Sequence, residues 1–180
     1  MLSDVKTTSF ARWPCTIART ADLLGDGWTL LVLREAFYGE TRFDAFIASL
    51  GIARNTLTDR LRVLVDAGLL ERREYQTEPV RHEYLLTESG RDFFPVMAAM
   101  KTWGDRWMNH GKELPVILSH EPCGHDLEAI VVCAHCGAAV ASEQTHAHAG
   151  PGFPEHLLDN PRIAARFKAP HTAASPTPSS

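Results

Sequence analysis

Between residues 51 and 86 the sequence changes its period from that of a helix to that of a hairpin, and this change constrains the fold more than any other feature. In the stretch GIARNTLTDRLRVLVDAGLL, Leu57, Leu61, Leu64 and Val65 recur at helical spacing and share one face. Arg54, Asn55, Thr56, Thr58, Asp59 and Arg62 fall at the helix start and on the opposite face. Gly68 ends the helix, because glycine readily takes the left-handed backbone that a helix C-terminus wants. A strand-like run over 69–75 follows, then a polar turn through Pro79 and a second run over 82–86. The pattern predicts a helix over 53–67 feeding a β-hairpin.

The upstream chain gives this pair its context. A helix is predicted over 16–24, with Ile17, Ala21 and Leu24 apolar, and Gly25 and Gly27 break it. Residues 28–38, WTLLVLREAFY, carry only Arg34 and Glu35 as charges, so they should form the central buried helix. A short helix then runs to Leu50 with Phe43, Phe46 and Ile47 inward, and Gly51 turns the chain into the next helix. Two short helices joined by a glycine-containing turn are the helix-turn-helix pattern, and a hairpin after the second makes it winged. A polar helix face beside a hairpin is common in any fold, but this order of elements favours a DNA-reading one.

B-DNA geometry then picks out side chains. The major groove admits one helix, and helix-turn-helix proteins present base-reading residues near its N-terminus. Arg54, Asn55, Thr56 and Thr58 sit there, with Arg42 and Arg62 close by in sequence. Arg73 and Arg81 flank the hairpin tip, where they would reach an adjacent backbone or minor groove. The whole chain carries a net charge of −4, which argues against a broadly basic coat for nucleic acid. Residues 42–81 hold seven arginines against six acids, so affinity must lean on a dimer and on arginines gathered on one face.

Other classes find little support. At 180 residues the chain suits one domain with an appendage. No apolar run is long enough to span a membrane, and the opening MLSDVKTTSFARWP lacks an apolar signal core, so a cytoplasmic protein is expected. No glycine-rich phosphate loop, dinucleotide fingerprint or Ser-His-Asp order with a nucleophile elbow occurs, and no enzyme is expected.

From Cys15 to Trp107 the chain resembles the HxlR-type winged helix-turn-helix transcriptional regulators, relatives of the MarR class. The features that carry the resemblance are a cysteine before the first helix, Gly25-x-x-Trp28, and Arg42-Phe43 opening the next helix. After them come Gly51-Ile52, Leu57-Thr58, Leu61-Arg62, Asp66-Ala67-Gly68-Leu69, a wing containing Pro79, and Glu83-Tyr84 with Thr87-x-x-Gly90. Gly27 stands where many members have a lysine, so if that lysine touches phosphate in the relatives, Gly27 cannot make the same contact. The resemblance implies a dimeric DNA-binding regulator, a repressor more often than an activator, with the hairpin as its wing. It also implies pairing through a long helix over 88–110 together with the first helix. Phe93, Phe94, Met97, Met100, Trp103 and Trp107 cover more than one face of that helix, and Pro95 kinks it or sits in its first turns. Redox- or electrophile-responsive members use a cysteine at the place of Cys15, which makes Cys15 a candidate redox sensor; a small buried hydrophobe is the plainer reading of the same residue. A small molecule or a redox signal is the expected effector.

Past Gly111 the composition changes. His120-x-x-Cys123-Gly124 and Cys133-x-x-Cys136-Gly137 are two copies of one knuckle, with 129–132 reading as a strand between them. This resembles a zinc ribbon in which His120 replaces the first cysteine, so that His120, Cys123, Cys133 and Cys136 would hold one structural Zn²⁺. His125 and His135 are competing ligands, and a vestigial ribbon folded without metal is the alternative. Four closed ligand positions leave no place for a catalytic water.

The expected class is therefore mainly α with a small β-hairpin wing, a winged helix-turn-helix, plus a small C-terminal zinc-ribbon-like β module. The expected organisation is an N-terminal arm (1–14), a winged helix-turn-helix and dimerisation domain (15–110), a zinc-ribbon-like module (111–145) and a mostly disordered tail (146–180). Phe153, Leu157 and Leu158 can make one helical turn in that tail. The expected function is a transcriptional regulator binding operator DNA as a homodimer. A zinc-ribbon adaptor for protein or RNA without operator specificity is the alternative.

Overall fold

The computed structural model describes residues 9–167, and the chain divides into two compact units between Ala129 and Ile130. The first unit opens with α1 (Thr16–Leu24), α2 (Gly27–Phe37), α3 (Phe43–Leu50) and α4 (Arg54–Asp66). β1 (Leu70–Thr77) and β2 (Val80–Leu86) follow as an antiparallel hairpin. The unit continues with α5 (Glu88–Asp92), α6 (Phe94–Trp107) and a two-residue hairpin, β3 (Ser119–His120) with β4 (His125–Asp126). Among the described residues no helix is long and apolar enough to cross a membrane.

The core is the face that the helical period marked out. Leu57, Leu61 and Leu64 of α4 pack with Val32, Leu33 and Ala36 of α2, Phe46 of α3, Ile52, and Leu69 and Leu70 at the start of the hairpin. Each fully buried leucine of this set contributes roughly 1.5–3 kcal/mol from apolar burial, so α4 is pinned by its inner face and its outer face is free to be polar. Asp26 caps α2 by accepting from the Thr29 backbone N–H at 2.9 Å, and its other oxygen pairs with Arg60 of α4 at 2.5 Å. One carboxylate thus fixes the start of the central helix and the orientation of α4.

The hairpin is tied to its neighbours at both ends. Tyr84 N–H donates to the Thr41 carbonyl at 2.7 Å, and Arg42 bridges Glu83, so the chain before α3 lies along β2. At the other end, the Thr87 hydroxyl accepts from Gly90 N–H at 3.0 Å and itself donates to the Gly68 carbonyl. Gly90 packs so tightly there that a Cβ would fall 2.1 Å from the Leu69 carbonyl oxygen. The Thr87-x-x-Gly90 pair is therefore the joint between wing and following helix.

Two expectations about elements differ from the structure. The helix expected as one piece over 88–110 is broken at Phe93, and Pro95 lies in the first turn of α6, where its missing N–H has no helical partner to lose. Residues 129–132 are not a strand. Only Val132 bridges Ala139, because Ile130, Val131 and Val132 meet no second layer and stay exposed.

The second unit begins with that bridge, flanked by Cys133 N–H to the Ala138 carbonyl at 2.8 Å and Val140 N–H to Val131 at 2.9 Å. Short 3-10 turns at Ser142–Gln144 and Glu155–Asp159 precede α7 (Pro161–Ala164), which Asn160 caps. Phe153 packs edge-to-face on Phe167 at 4.9 Å, so residues 153–167 have a small apolar anchor of their own inside the stretch expected as tail. Residues 168–180 of that expected tail and the first eight residues of the N-terminal arm lie outside the described residues.

Candidate nucleic-acid interface

Burial of Leu57, Leu61 and Leu64 turns the opposite face of α4 outward. Arg54, Asn55, Thr58 and Arg62 are exposed on it, and Thr56 is half-buried. The Thr58 hydroxyl donates to the Arg54 carbonyl at 2.9 Å, which leaves its lone pairs open to a donor. Arg62 pairs with Asp59 one turn back at 3.1 Å.

Arg54 is held before anything binds. Its guanidinium lies 5.0 Å from the centre of the Phe43 ring and 3.1 Å from Asp44 Oδ1. That ion pair is open to solvent on both sides, so it is worth at most about 1 kcal/mol and a phosphate or a base edge can compete for the arginine. Across from it, β1 carries an irregularity between Glu74 and Gln76, and the extra residue, Tyr75, faces Arg42 at 4.6 Å from guanidinium to ring centre.

Between the start of α4 and the wing these side chains frame a groove of about 440 Å³. Arg42, Arg54, Arg81 and His82 line it, with Asp44 as the one acid. A chain of net negative charge thus presents a locally positive groove beside the exposed start of a helix. Arg73 is not part of it: both its Nε and Nη2 bond Glu83 Oε1, at 3.0 and 2.8 Å. The sequence had pointed to neither Asp44 nor Phe43, since their partner Arg54 lies about ten residues away, and it missed Tyr75 and His82 because the strand irregularity is invisible without the register.

The family model described as HxlR-like helix-turn-helix matches residues 23–112, the segment that builds this groove and its core. An uncharacterized HTH-type transcriptional regulator of Mycobacterium tuberculosis is 42% identical over 145 residues, covering 81% of this chain and 92% of the relative. The chain belongs to the HxlR-like helix-turn-helix family. A second HTH-type transcriptional regulator, from Synechocystis, is 42% identical over 95 residues, covering 52% of this chain and 70% of its own. Among solved structures, the candidate transcription factor PA1607 superposes with a TM-score of 0.73 at 36% identity, over 79% of this chain and all of its own. The candidate transcription factor PA1374 of Pseudomonas aeruginosa gives 0.57 at 38% identity, over 81% and 99%. This HxlR-like protein is a DNA-binding transcriptional regulator, and its fold is the winged helix-turn-helix.

Two further features of this HxlR-like chain carry reactive groups. Cys15 is exposed at the N-cap of α1, with no side-chain cap bond. The two knuckles are one turn made twice. Gly124 N–H donates to the His120 carbonyl and Gly137 N–H to the Cys133 carbonyl, each at 2.8 Å. Both glycines have positive φ, 71° and 74°, a backbone that a side chain resists. In the first knuckle His120 Nδ1 lies 3.3 Å from Cys123 Sγ. In the second, the backbone N–H groups of Cys136 and His135, then the Cys136 thiol, bond Cys133 and hold its thiol below the ordinary value. Each knuckle therefore brings its two candidate ligand residues together on one turn, while among the described residues no three His, Cys, Asp or Glu side chains form a group able to hold a metal. His125 stands opposite His120 in the β3–β4 pairing, and His135 lies between the two cysteines of the second knuckle.

Proposed function

We propose that the protein binds operator DNA as a homodimer and represses transcription by covering polymerase-accessible DNA. The observation that carries this reading is the positive groove between the start of α4 and the wing. With α4 in the major groove and the hairpin tip toward the minor groove, the strand between them must pass through that gap. Arg42 and Arg81 would then bond phosphate, while Arg54, Asn55, Thr56 and Thr58 would meet base edges and Arg62 the flanking backbone. Arg73, engaged by Glu83, would contribute its charge and little direct contact. Pairing is supported by α6, where Val96, Met100, Trp103 and Trp107 are exposed along one face, and by Ile17 on α1. Two copies are needed mechanically, since a helix-turn-helix dimer reads half-sites about 34 Å apart.

Selection of bound DNA from a random pool tests the reading. A recovered sequence with two-fold symmetry and half-sites one helical turn apart, bound by a species of twice the chain mass in sedimentation, is the expected result. Recovery of no preferred sequence, or equal retention of random RNA, would instead favour an adaptor without operator specificity. Transcription from a promoter overlapping the selected site should fall when the protein is added.

In the same reading, His120, Cys123, Cys133 and Cys136 hold one structural Zn²⁺, and the repeated turn with its paired ligand residues supports that assignment. Cys15 is a candidate redox sensor, supported by its exposure at a helix start. Cys15→Ser should then abolish any loss of DNA binding caused by oxidant. Sensitivity that persists in this variant would move the sensor to the C-terminal cysteines.

A further inference from the structure

The arginines around the groove are held in two different ways. Arg54 is tied to Asp44, Arg62 to Asp59 and Arg73 to Glu83, at 3.1, 3.1 and 2.8 Å. Each of these acids offsets part of the charge that a phosphate would meet, and each pair must open or be shared on binding. Arg42 is different. Among the described residues it has no carboxylate within ion-pair distance, and its guanidinium lies instead over the Tyr75 ring, 4.6 Å from the centre. An aromatic face attracts a cation through its quadrupole and carries no net charge. The ring therefore orients Arg42 and leaves its full charge available to phosphate.

The backbone aims both members of this pair. Arg42 bridges Glu83, which fixes its main chain to β2. Tyr75 belongs to β1, where Glu74 pairs with His82 and Gln76 with Arg81. Tyr75 is thus the extra residue of a bulge, and a bulge re-aims a side chain. With no residue paired across the strand, its ring meets Arg42. Arg42 accordingly has its main chain on one strand of the wing and its side chain on the other. Both residues line the positive groove, together with Arg54, Arg81 and His82.

We propose that Tyr75 is a positioning residue for DNA binding, whose ring holds the Arg42 guanidinium in place for a phosphate of the bound strand. The proposal rests on the groove being the path of that strand. A long side chain that is mobile before binding loses rotamer freedom when it closes on a phosphate. Stacking on Tyr75 takes that loss in the free protein, and the contact then forms at a smaller entropic cost.

Fluorescence anisotropy with a mixed-sequence duplex tests this, because phosphate contacts carry no sequence information. Tyr75→Leu should weaken binding by about two- to fivefold, the worth of an exposed cation–π pair expressed as affinity. Tyr75→Gln, which also lacks a ring, should behave in the same way. Tyr75→Phe and Tyr75→Trp keep a ring and should bind as tightly as the wild type. Arg42→Ala should weaken binding and lower the salt slope by about one, whereas Tyr75→Leu removes no charge and should leave the slope unchanged. In the Arg42→Ala background, Tyr75→Leu should cost nothing further, a coupling that general damage to the wing would not produce. Tyr75 is 36% exposed, so each variant should still melt cooperatively. An equal loss with and without Arg42, or no loss in Tyr75→Leu and Tyr75→Gln, overturns the positioning role and leaves the groove reading standing. A phenylalanine variant as weak as the leucine one assigns the effect to the phenol hydroxyl and likewise overturns it. Unchanged affinity and salt slope in Arg42→Ala overturn the groove as the path of the strand.

Discussion

The helix and hairpin that carry the DNA-facing arginines and the two knuckles that carry the cysteines are both short, turn-rich stretches, yet they are held in opposite ways. In the first, Leu57 and Leu64 are completely buried and Leu61 nearly so, and the polar side chains of the far face are turned outward because the near face is pinned. In the second, apolar residues are just as dense, but Ile130 is 70% exposed and Val131 61%. Hydrophobic content is therefore not what orders a segment; a second layer to bury it against is. Where that layer is missing, a turn can be shaped by backbone bonds and glycines, but its stability must come from ligation or from a partner.

Removing metal is expected to separate the two regions most sharply. A structural Zn²⁺ supplies on the order of 10 kcal/mol, so chelation or Cys133→Ser should abolish amide protection over both knuckles while the winged unit keeps its own. Metal analysis should give one zinc per chain in the wild type and none in the variant. Ordered knuckles in protein that neither carries nor takes up zinc would show a vestigial ribbon and remove the proposed contrast.

The converse experiment strikes the packed region. Leu61→Ala should cost about 2–5 kcal/mol in denaturant unfolding of the winged unit, as large-to-small changes in cores do. A cost under about 1 kcal/mol would mean that α4 is not held by the face assigned to it.

A smaller effect is expected on the outer face of the same helix. Arg54→Ala should weaken the selected operator by roughly 1–3 kcal/mol and relax preference at one base position. Arg81→Ala should weaken all sequences alike and lower the salt slope by about one. If Arg54→Ala binds every sequence equally less well, Arg54 is a phosphate contact and its hold by Phe43 and Asp44 serves position only.

The smallest effect should come from the knuckle's apolar surface. Ile130→Ser is expected to change the thermal stability of the chain by no more than about 0.5 kcal/mol, the range for exposed sites. A larger loss would reveal a surface that covers Ile130 in solution.

Much of the winged unit could be read without coordinates. The period of Leu57, Leu61 and Leu64 marked both the helix and its buried face, and α4 begins and ends within a residue of the predicted bounds. The Thr87-x-x-Gly90 pair was visible as a motif, though only packing explains it: Gly90 has no room for a side chain beside Leu69. Helical period, glycine stops and the spacing of the knuckle cysteines are local properties, written within a few residues of one another, and the sequence by itself determined them. The contacts that tune the interface are not local. Asp44 reaches Arg54 across a turn, Tyr75 reaches Arg42 because β1 slips by one residue, and Arg73 is taken up by Glu83 through strand register. The break at Phe93 likewise depends on how α2 and α6 meet. Such features follow from which surfaces fit together once the core has closed, and only the tertiary structure decides that.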